Sequence, residues 1–171
     1  MGRLCSLLFV LLLIITGCSK DVKINTNTMP QSLPADFDFM VSFGYGEVTK
    51  NEINTYQDTV VKDLVINGTA TANMTFTVDE MRIIYEKMRE INIMGTKDLV
   101  PTNQNCGKKP FSKDRWKISV NGVTKELTWS EEYCDVTSDA QELLELRTFI
   151  QDIVADKDAY KELPQAEGGY D

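Results

Sequence analysis

Hydrophobic and polar residues alternate most regularly between residues 36 and 45. Five apolar side chains fall on one face of an extended chain there: Phe37, Phe39, Val41, Phe43 and Tyr45. Alternation with a period of two is typical of a β-strand with one buried face. An exposed aromatic platform for a ligand is the alternative interpretation, but such a continuous apolar surface would promote aggregation. The pattern therefore favours a strand that packs on the core.

Two more strands are predicted on either side of Asn67-Gly68, a dipeptide that is typical of tight hairpin turns. Residues 53–65 form the first of them, and their imperfect alternation indicates a bulge or an edge strand. Residues 71–76 form the second, with alternate apolar side chains facing inward.

A second hairpin is predicted around Asn121-Gly122, where a two-residue loop fixes the register of the flanking strands. In that register Val120 faces Val123, Trp116 faces Leu127, and Lys117 faces Glu126 on the other side of the sheet.

Two amphipathic helices are predicted from capping boxes and helical spacing. Thr77 and Glu80 have the spacing of a capping box, and apolar residues recur at helical spacing over residues 79–91. Ser138 and Gln141 have the same spacing at the start of a second apolar stripe.

These elements predict an α+β fold in the order β-β-β-α-β-β-α, an antiparallel sheet of about five strands with two helices packed on one face. A short helical turn is expected over residues 158–163. The single α+β domain is expected to span residues 35–164. A polar linker within residues 18–34 precedes it, and a loose, Gly-rich tail over residues 165–171 follows it.

The start of the chain predicts export. Arg3 precedes an apolar run of twelve residues, 4–15, interrupted only by Cys5 and Ser6. A helix needs about 20 residues to cross the hydrocarbon core of a bilayer. A basic start, a short apolar block and small residues at its end are typical of a secretory signal peptide, which we place at residues 1–17.

The sequence Ile15-Thr16-Gly17-Cys18 at the end of this block resembles the lipobox of bacterial lipoproteins. The resemblance implies that the Cys18 thiol carries a diacylglyceryl group through a thioether, and that the signal is cut between Gly17 and Cys18. Two acyl chains anchor a protein stably, whereas one binds only marginally. The implied location is the cell membrane, with the domain lipid-anchored and facing outside the cytoplasm.

Two other interpretations of these residues remain open. Gly2 and the residues after it fit the myristoylation pattern, with Cys5 as a second acylation site. Alternatively, the chain has a plain cleaved signal and Cys18 is there by chance.

Beyond the lipobox, the layout resembles small uncharacterised lipoproteins of Gram-positive bacteria. The likeness rests on Tyr85-Glu86-Lys87-Met88, Ile91-Asn92-Ile93, Leu163-Pro164 and Gly168-Gly169-Tyr170. It implies neither an activity nor any site residues.

The charge of the chain limits the partners it can have. The net charge is −8, and loss of Arg3 with the leader changes it to −9. Nucleic-acid affinity comes largely from Lys and Arg on phosphates, so we expect no nucleic-acid partner. The same charge opposes close contact of the domain with an anionic bilayer.

The four cysteines divide into two groups. Cys5 would leave with the signal and Cys18 would be acylated, so Cys106 and Cys134 remain. An even pair in an oxidising compartment predicts a structural disulfide, from the loop after the first helix to the entrance of the second. A redox pair is the alternative, although the Cys-x-x-Cys spacing is absent. Two thiolates in a chain without histidine make a zinc site a poorer interpretation.

The residue inventory argues against most catalytic chemistry. A chain without histidine has no Ser-His-Asp triad, no Cys-His pair and no His-ligated metal. No phosphate-binding Gly-rich loop or alternating calcium loop appears in the sequence either. We therefore predict no catalytic residue, no metal ligand and no cofactor.

The favoured function is a non-catalytic binding or envelope interaction module that meets a protein or envelope ligand. It would use the polar face of the sheet or the irregular residues 95–112. The alternative is a carbohydrate-active hydrolase that uses two of the 26 acidic residues. An envelope structural protein is a third possibility.

Overall fold

The computed structural model of this chain describes residues 29–46 and 48–170. The strands are β1 (Asp38–Tyr45), β2 (Asn51–Asn54), β3 (Thr59–Asp63), β4 (Thr69–Asn73), β5 (Ser112–Val120) and β6 (Val123–Ser130). The helices are α1 (Val78–Glu90), α2 (Ser138–Ala155) and α3 (Asp158–Lys161). Within these residues all strands join one antiparallel sheet in the order β4-β3-β2-β1-β5-β6. The predicted α+β class with an antiparallel sheet is confirmed.

The described sheet has six strands rather than about five, because residues 53–65 contain two strands and not one. Ile53 of β2 pairs with Val60 of β3, and both are buried although they lie an odd number of residues apart. The chain reverses between them in a tight turn, where Asp58 has a φ of +52°. A turn therefore causes the imperfect alternation in residues 53–65, and the predicted bulge or edge strand is wrong.

The core lies between one face of the sheet and the helices α1 and α2. Its fully buried members include Phe39, Val41, Trp116, Ile118, Ile84, Met88, Leu143 and Ile150. Burial of a large apolar side chain contributes about 1.5–3 kcal/mol. The predicted inward face of β1 is confirmed except at its end, where Tyr45 is 52% exposed because the strand stops and the chain turns at Gly46.

The two predicted hairpin turns are confirmed. Gly68 joins β3 to β4 with a φ of +78°. Asn121 and Gly122 join β5 to β6 with φ values of +50° and +73°, as type I′ turns require. All three predicted cross-strand pairs of the second hairpin form. The Asp36 carboxylate accepts hydrogen bonds from the Asn121 and Gly122 backbone N–H groups at 3.1 and 2.6 Å.

One of the two predicted capping boxes is present. At the start of α1 the Glu80 N–H donates to the Thr77 hydroxyl at 3.2 Å, and the Thr77 N–H donates to the Glu80 carboxylate at 2.7 Å. The box predicted at Ser138 is wrong, because Thr137 is the cap of α2 and accepts from the Ala140 N–H at 3.2 Å. Thr137 and Ser138 both have hydroxyl groups that could cap a helix. Thr137 is the cap because its backbone is extended, as an N-cap requires, whereas Ser138 is already the first residue of α2.

Residues at both ends of the described chain contact the domain. Met29 lies inside the predicted linker but is only 8% exposed, and the Tyr85 hydroxyl donates to the Pro30 carbonyl at 2.7 Å. Glu167 lies in the predicted loose tail but pairs with Val65 beside β3. Apolar packing at Met29 and backbone pairing at Glu167 thus hold parts of both terminal segments against the domain. The predicted signal peptide, Cys18 and most of the predicted linker lie outside the described residues.

In the part of the chain that the structure describes, none of the helices combines the length and the apolar character needed to span a bilayer.

Candidate functional site

The predicted disulfide forms between Cys106 and Cys134, whose Cα atoms lie 5.5 Å apart. It ties the irregular chain after α1 to the segment that enters α2, as the sequence predicted. The backbones beside it also pair: the Cys134 N–H donates to the Cys106 carbonyl at 3.0 Å, and the Lys108 N–H donates to the Glu132 carbonyl at 2.8 Å. Residues 106–108 and 132–134 are therefore held together by covalent and hydrogen bonds.

Two lysines hold the other end of the irregular segment 95–112. The Lys97 ammonium donates to the Ile91 carbonyl at the end of α1 at 2.5 Å and pairs with the Asp139 carboxylate at 2.9 Å. The Lys125 ammonium on β6 donates to the carbonyls of Ile93 and Gly95. Burial lowers the pKa of Lys125, and the nearby Lys97 charge lowers it further. Cations at the last carbonyls of a helix stabilise its end.

Directly after the disulfide-braced residues 106–108, the chain forms one wall of a cleft of about 300 Å³ at the end of the sheet. Its lining comes from four segments that are far apart in sequence. The lining residues are Tyr45, Gly46, Lys109, Pro110, Phe111, Glu132 and Tyr170, and we call this feature the aromatic cleft. Its volume is near the lower end of the range of small-molecule sites, so it has room for one small ligand or one unit of a polymer.

Backbone and aromatic contacts position the walls of the aromatic cleft. The Gly46 N–H donates to the Phe111 carbonyl at 2.7 Å, which fixes the end of β1 against the start of β5. Gly46 has a φ of +65°, a left-handed backbone conformation that glycine adopts without steric cost. The ring centroids of Tyr45 and Tyr170 lie 5.7 Å apart with an interplanar angle of 36°.

Asp63 and Lys50 hold the Tyr170 side chain in place. The Tyr170 hydroxyl donates to the carboxylate of Asp63, a residue that is only 8% exposed. The Lys50 ammonium lies 3.8 Å from the same carboxylate and 5.4 Å from the centroid of the Tyr170 ring. The Tyr170 hydroxyl, and after it the Asp63 charge, raises the pKa of Lys50 above its ordinary value. The C-terminal segment is thus part of the cleft rather than a free end.

The aromatic cleft has one cation and one carboxylate in its lining, Lys109 and Glu132. The adjacent Glu131 is already engaged, because it accepts from the Ser112 hydroxyl at 2.8 Å and pairs with Lys108 at 3.6 Å. Within the described chain neither Lys109 nor Glu132 takes part in an ion pair. Both charges are therefore available to a ligand.

The lining offers one carboxyl group for acid–base chemistry. Glycoside hydrolysis commonly uses two carboxyl groups on either side of the scissile bond, and Glu132 is the single carboxylate among the seven lining residues. No group of three or more acidic or cysteine side chains suited to a metal ion occurs among residues 29–46 and 48–170.

A buried ion pair between β5 and α2 was not predicted. Asp114 on β5 is fully buried and accepts from the Arg147 guanidinium of α2 at 2.8 Å. Burial raises the pKa of Asp114 to about 6, although the Arg147 charge and hydrogen bond act to lower it. The signal was present in the sequence: Asp114 continues the inward alternation of Trp116 and Ile118, so a charge at that position requires a buried partner.

The predicted site residues thus fall into two groups. The structure brings Cys106 and Cys134 together, whereas Gly17 and Cys18 lie outside the described residues. Of the two surfaces suggested by the sequence, the irregular segment contributes Lys109, Pro110 and Phe111 to the cleft. The remaining lining residues carried no motif and were found only through the fold.

Comparisons of this chain with protein-family models, with curated proteins and with solved structures gave no significant match.

Proposed function

We propose that this protein is a lipid-anchored, extracytoplasmic binding module, and that the aromatic cleft is its ligand site. The observation that carries the proposal is the assembly of three aromatic rings from distant segments around one pocket. A disulfide, a backbone ladder and a buried carboxylate fix those segments. Side chains held in this way need little ordering when a ligand binds.

The anchor is proposed at Cys18, on the strength of the lipobox resemblance. The disulfide supports export, because such bonds persist in oxidising compartments and are rare in the cytosol. Residues 19–28 link Cys18 to the buried Met29, and a segment of this length reaches at most about 40 Å. The cleft would therefore work close to the outer surface of the membrane.

The chemistry of the lining favours a sugar unit of a glycan as the ligand. Flat aromatic faces pack well against the C–H face of a sugar ring, while Lys109 and Glu132 can donate to and accept from its hydroxyl groups. A few polar groups around an apolar floor are typical of small-molecule sites. With a single carboxylate in the lining, we propose binding without hydrolysis.

Tyr45→Ala tests the proposal, with Tyr56→Ala as the matched control. Tyr45 lines the cleft, whereas Tyr56 is an exposed tyrosine between β2 and β3, outside the cleft lining. Full-length protein in detergent is titrated with soluble mono- and oligosaccharides, and binding is followed by NMR. Loss of a central tyrosine contact typically costs about 2 kcal/mol, or roughly a 30-fold weaker affinity.

We expect that loss for Tyr45→Ala and unchanged affinity for Tyr56→Ala. If no saccharide binds the wild-type protein, the glycan assignment is wrong. If both variants bind a saccharide as the wild type does, that saccharide binds elsewhere and the cleft is not its site.

A further inference from the structure

The face of the sheet opposite the helices carries a row of cations along β5. Lys113, Arg115 and Lys117 point to this face because they alternate with Asp114 and Trp116, which are buried on the helix side. Successive members of the row are two residues apart, which is about 6.8 Å along an antiparallel strand. We call these three residues the β5 cation row.

The residues directly opposite the β5 cation row supply an acid at one of its three positions. On β1 the residues opposite Lys113, Arg115 and Lys117 are Gly44, Ser42 and Met40. On β6 they are Ser130, Thr128 and Glu126. Glu126 is the one acid directly opposite a member of the row, and within the described chain none of the three cations lies in an ion pair.

The exposed neighbours add hydrogen-bond donors beside these charges. Thr128 is exposed and Ser130 is half-buried, and both lie on the same face as the row. The Lys117 ammonium lies 4.9 Å from the centroid of the Tyr56 ring, so the side chain extends across the face toward Tyr56 and does not pair with the facing Glu126. Lysine and arginine next to hydroxyl groups form a surface that suits oxyanions.

The row is unusual for the charge of this chain, which has a net charge of −8. Acidic side chains predominate on the other side of the domain, where α2 and α3 together carry Asp139, Glu142, Glu145, Asp152 and Asp158 against Arg147 and Lys161. Asp38 of β1, Glu52 of β2 and Glu126 of β6 lie on the same face as the row. A ligand that binds the cations must therefore be narrow, because a broad anionic surface would meet these acids on both sides of the row.

We propose that the β5 cation row binds a linear polyanion whose phosphate groups are spaced at about two strand residues, namely a polyol chain joined by phosphodiester links rather than a nucleic acid. The straight row matches an extended chain, and charge complementarity selects its phosphates over neutral polymers. This site is separate from the aromatic cleft and does not depend on the glycan assignment. An anionic bilayer offers the same phosphates on a broad surface, and the domain's charge opposes that mode.

The test uses the full-length protein in nanodiscs of zwitterionic lipid and a labelled poly(glycerol phosphate) of defined length as the probe. Fluorescence anisotropy gives the affinity at several salt concentrations. If three phosphates are neutralised, the slope of log affinity against log salt is about −2, so affinity falls roughly 20-fold between 50 and 200 mM salt by the single-strand rule.

The decisive variant combines Lys113→Gln, Arg115→Gln and Lys117→Gln. We expect at least a tenfold weaker affinity at low salt and loss of most of the salt dependence. Circular dichroism and thermal unfolding verify that this variant is folded.

The matched control combines Arg82→Gln, Lys87→Gln and Arg89→Gln on α1, which removes the same charge from the helix side. This control should weaken binding by less than twofold. Equal losses in the two triple variants would show a net-charge effect and overturn the site, as would absence of polymer binding by the wild type.

Two further arms separate the remaining ligands. The protein should bind vesicles that contain phosphatidylglycerol more weakly than it binds the polymer. If it binds the vesicles but not the polymer, and the triple variant of the β5 cation row loses that binding, the ligand is the membrane surface and the proposal is overturned. Polyglutamate of matched length tests the preference for phosphate, and tighter binding of polyglutamate would overturn it. Tyr45→Ala should bind the polymer normally, so failure of the cleft proposal leaves this site testable.

Discussion

Replacing Arg147 with methionine should destabilise the domain by an amount that depends strongly on pH. The Arg147 guanidinium donates to the fully buried Asp114 at 2.8 Å, donates to Gln151 at 2.6 Å, and lies 5.0 Å from the ring centroid of Phe43. Methionine keeps much of the apolar stem of arginine but removes the charge. The variant therefore leaves the Asp114 carboxyl group buried without its cation.

The magnitude follows from the state of Asp114. Breaking a buried ion pair by removing one partner costs about 3–5 kcal/mol, because the remaining charge is uncompensated. In the wild type the pKa of Asp114 is about 6, so the group is ionised at pH 8 and largely protonated at pH 5. Without Arg147 that pKa rises further, and the cost grows by up to about 1.4 kcal/mol for each pH unit above 6.

The sign of the wild-type pH dependence follows from the same pKa. The folded pKa of Asp114 lies above the unfolded value, so between pH 4 and 6 the folded state keeps a proton that the unfolded chain releases. The contribution of this group to the stability of the wild type therefore falls as the pH rises through that window and is constant above it. Asp114→Asn should remove this dependence.

Urea unfolding followed by tryptophan fluorescence, with the disulfide intact, measures these effects. We expect Arg147→Met to cost about 3–5 kcal/mol at pH 8 and about 1–2 kcal/mol at pH 5, where only packing and the Gln151 hydrogen bond are lost. The double variant with Asp114→Asn should show no such pH dependence. A cost below 1 kcal/mol at pH 8, or an equal cost at both pH values, would show that Arg147 does not compensate a buried Asp114 charge.

Three further predictions concern the disulfide, a helix cap and the C-terminal segment. Replacing Cys106 and Cys134 by serine opens a loop with a sequence separation of 28 residues. The free energy of unfolding in urea titrations should then fall by about 3–4 kcal/mol. A loss below 1 kcal/mol would argue that the disulfide does not constrain the unfolded chain. Thr137→Ala should lower the free energy of unfolding by about 1 kcal/mol, and Ser138→Ala by only a few tenths of a kcal/mol. A larger loss for Ser138→Ala than for Thr137→Ala in the same titrations would identify Ser138 as the cap of α2. Tyr170→Ala should lower Tm by about 2–6 °C, because the hydrogen bond from its hydroxyl to the Asp63 carboxylate is lost. The same variant should weaken ligand binding in the cleft. Unchanged Tm and binding would show that the C-terminal segment is dispensable.

Local signals in the sequence were sufficient for several elements. The β5–β6 register was predictable because a two-residue turn leaves one alignment, and α1 was predictable because its capping box precedes a regular apolar stripe. The reversal between β2 and β3 was harder, since no Gly or Pro marks it. Its turn is held instead by contacts with β1, where the Thr55 hydroxyl accepts from the Phe39 N–H at 2.8 Å.

The aromatic cleft depends on long-range placement, which periodicity does not contain. The irregular segment was predicted as a candidate surface, and the disulfide fixed one of its contacts. Tyr45 looked like the last residue of an inward face, and Tyr170 looked like part of a loose tail. Only the order of the strands and the hydrogen bond from Tyr170 to Asp63 bring these residues to one pocket.

The intact mass of the protein extracted from membranes, with and without reduction and alkylation, tests both the proposed lipid anchor and the disulfide. We predict a chain that begins at Cys18, carries a diacylglyceryl group on that residue, and gains two alkyl groups only after reduction. A chain that retains residues 1–17, lacks the lipid, or is alkylated at Cys106 and Cys134 without reduction would contradict an exported, lipid-anchored domain with a disulfide-braced cleft.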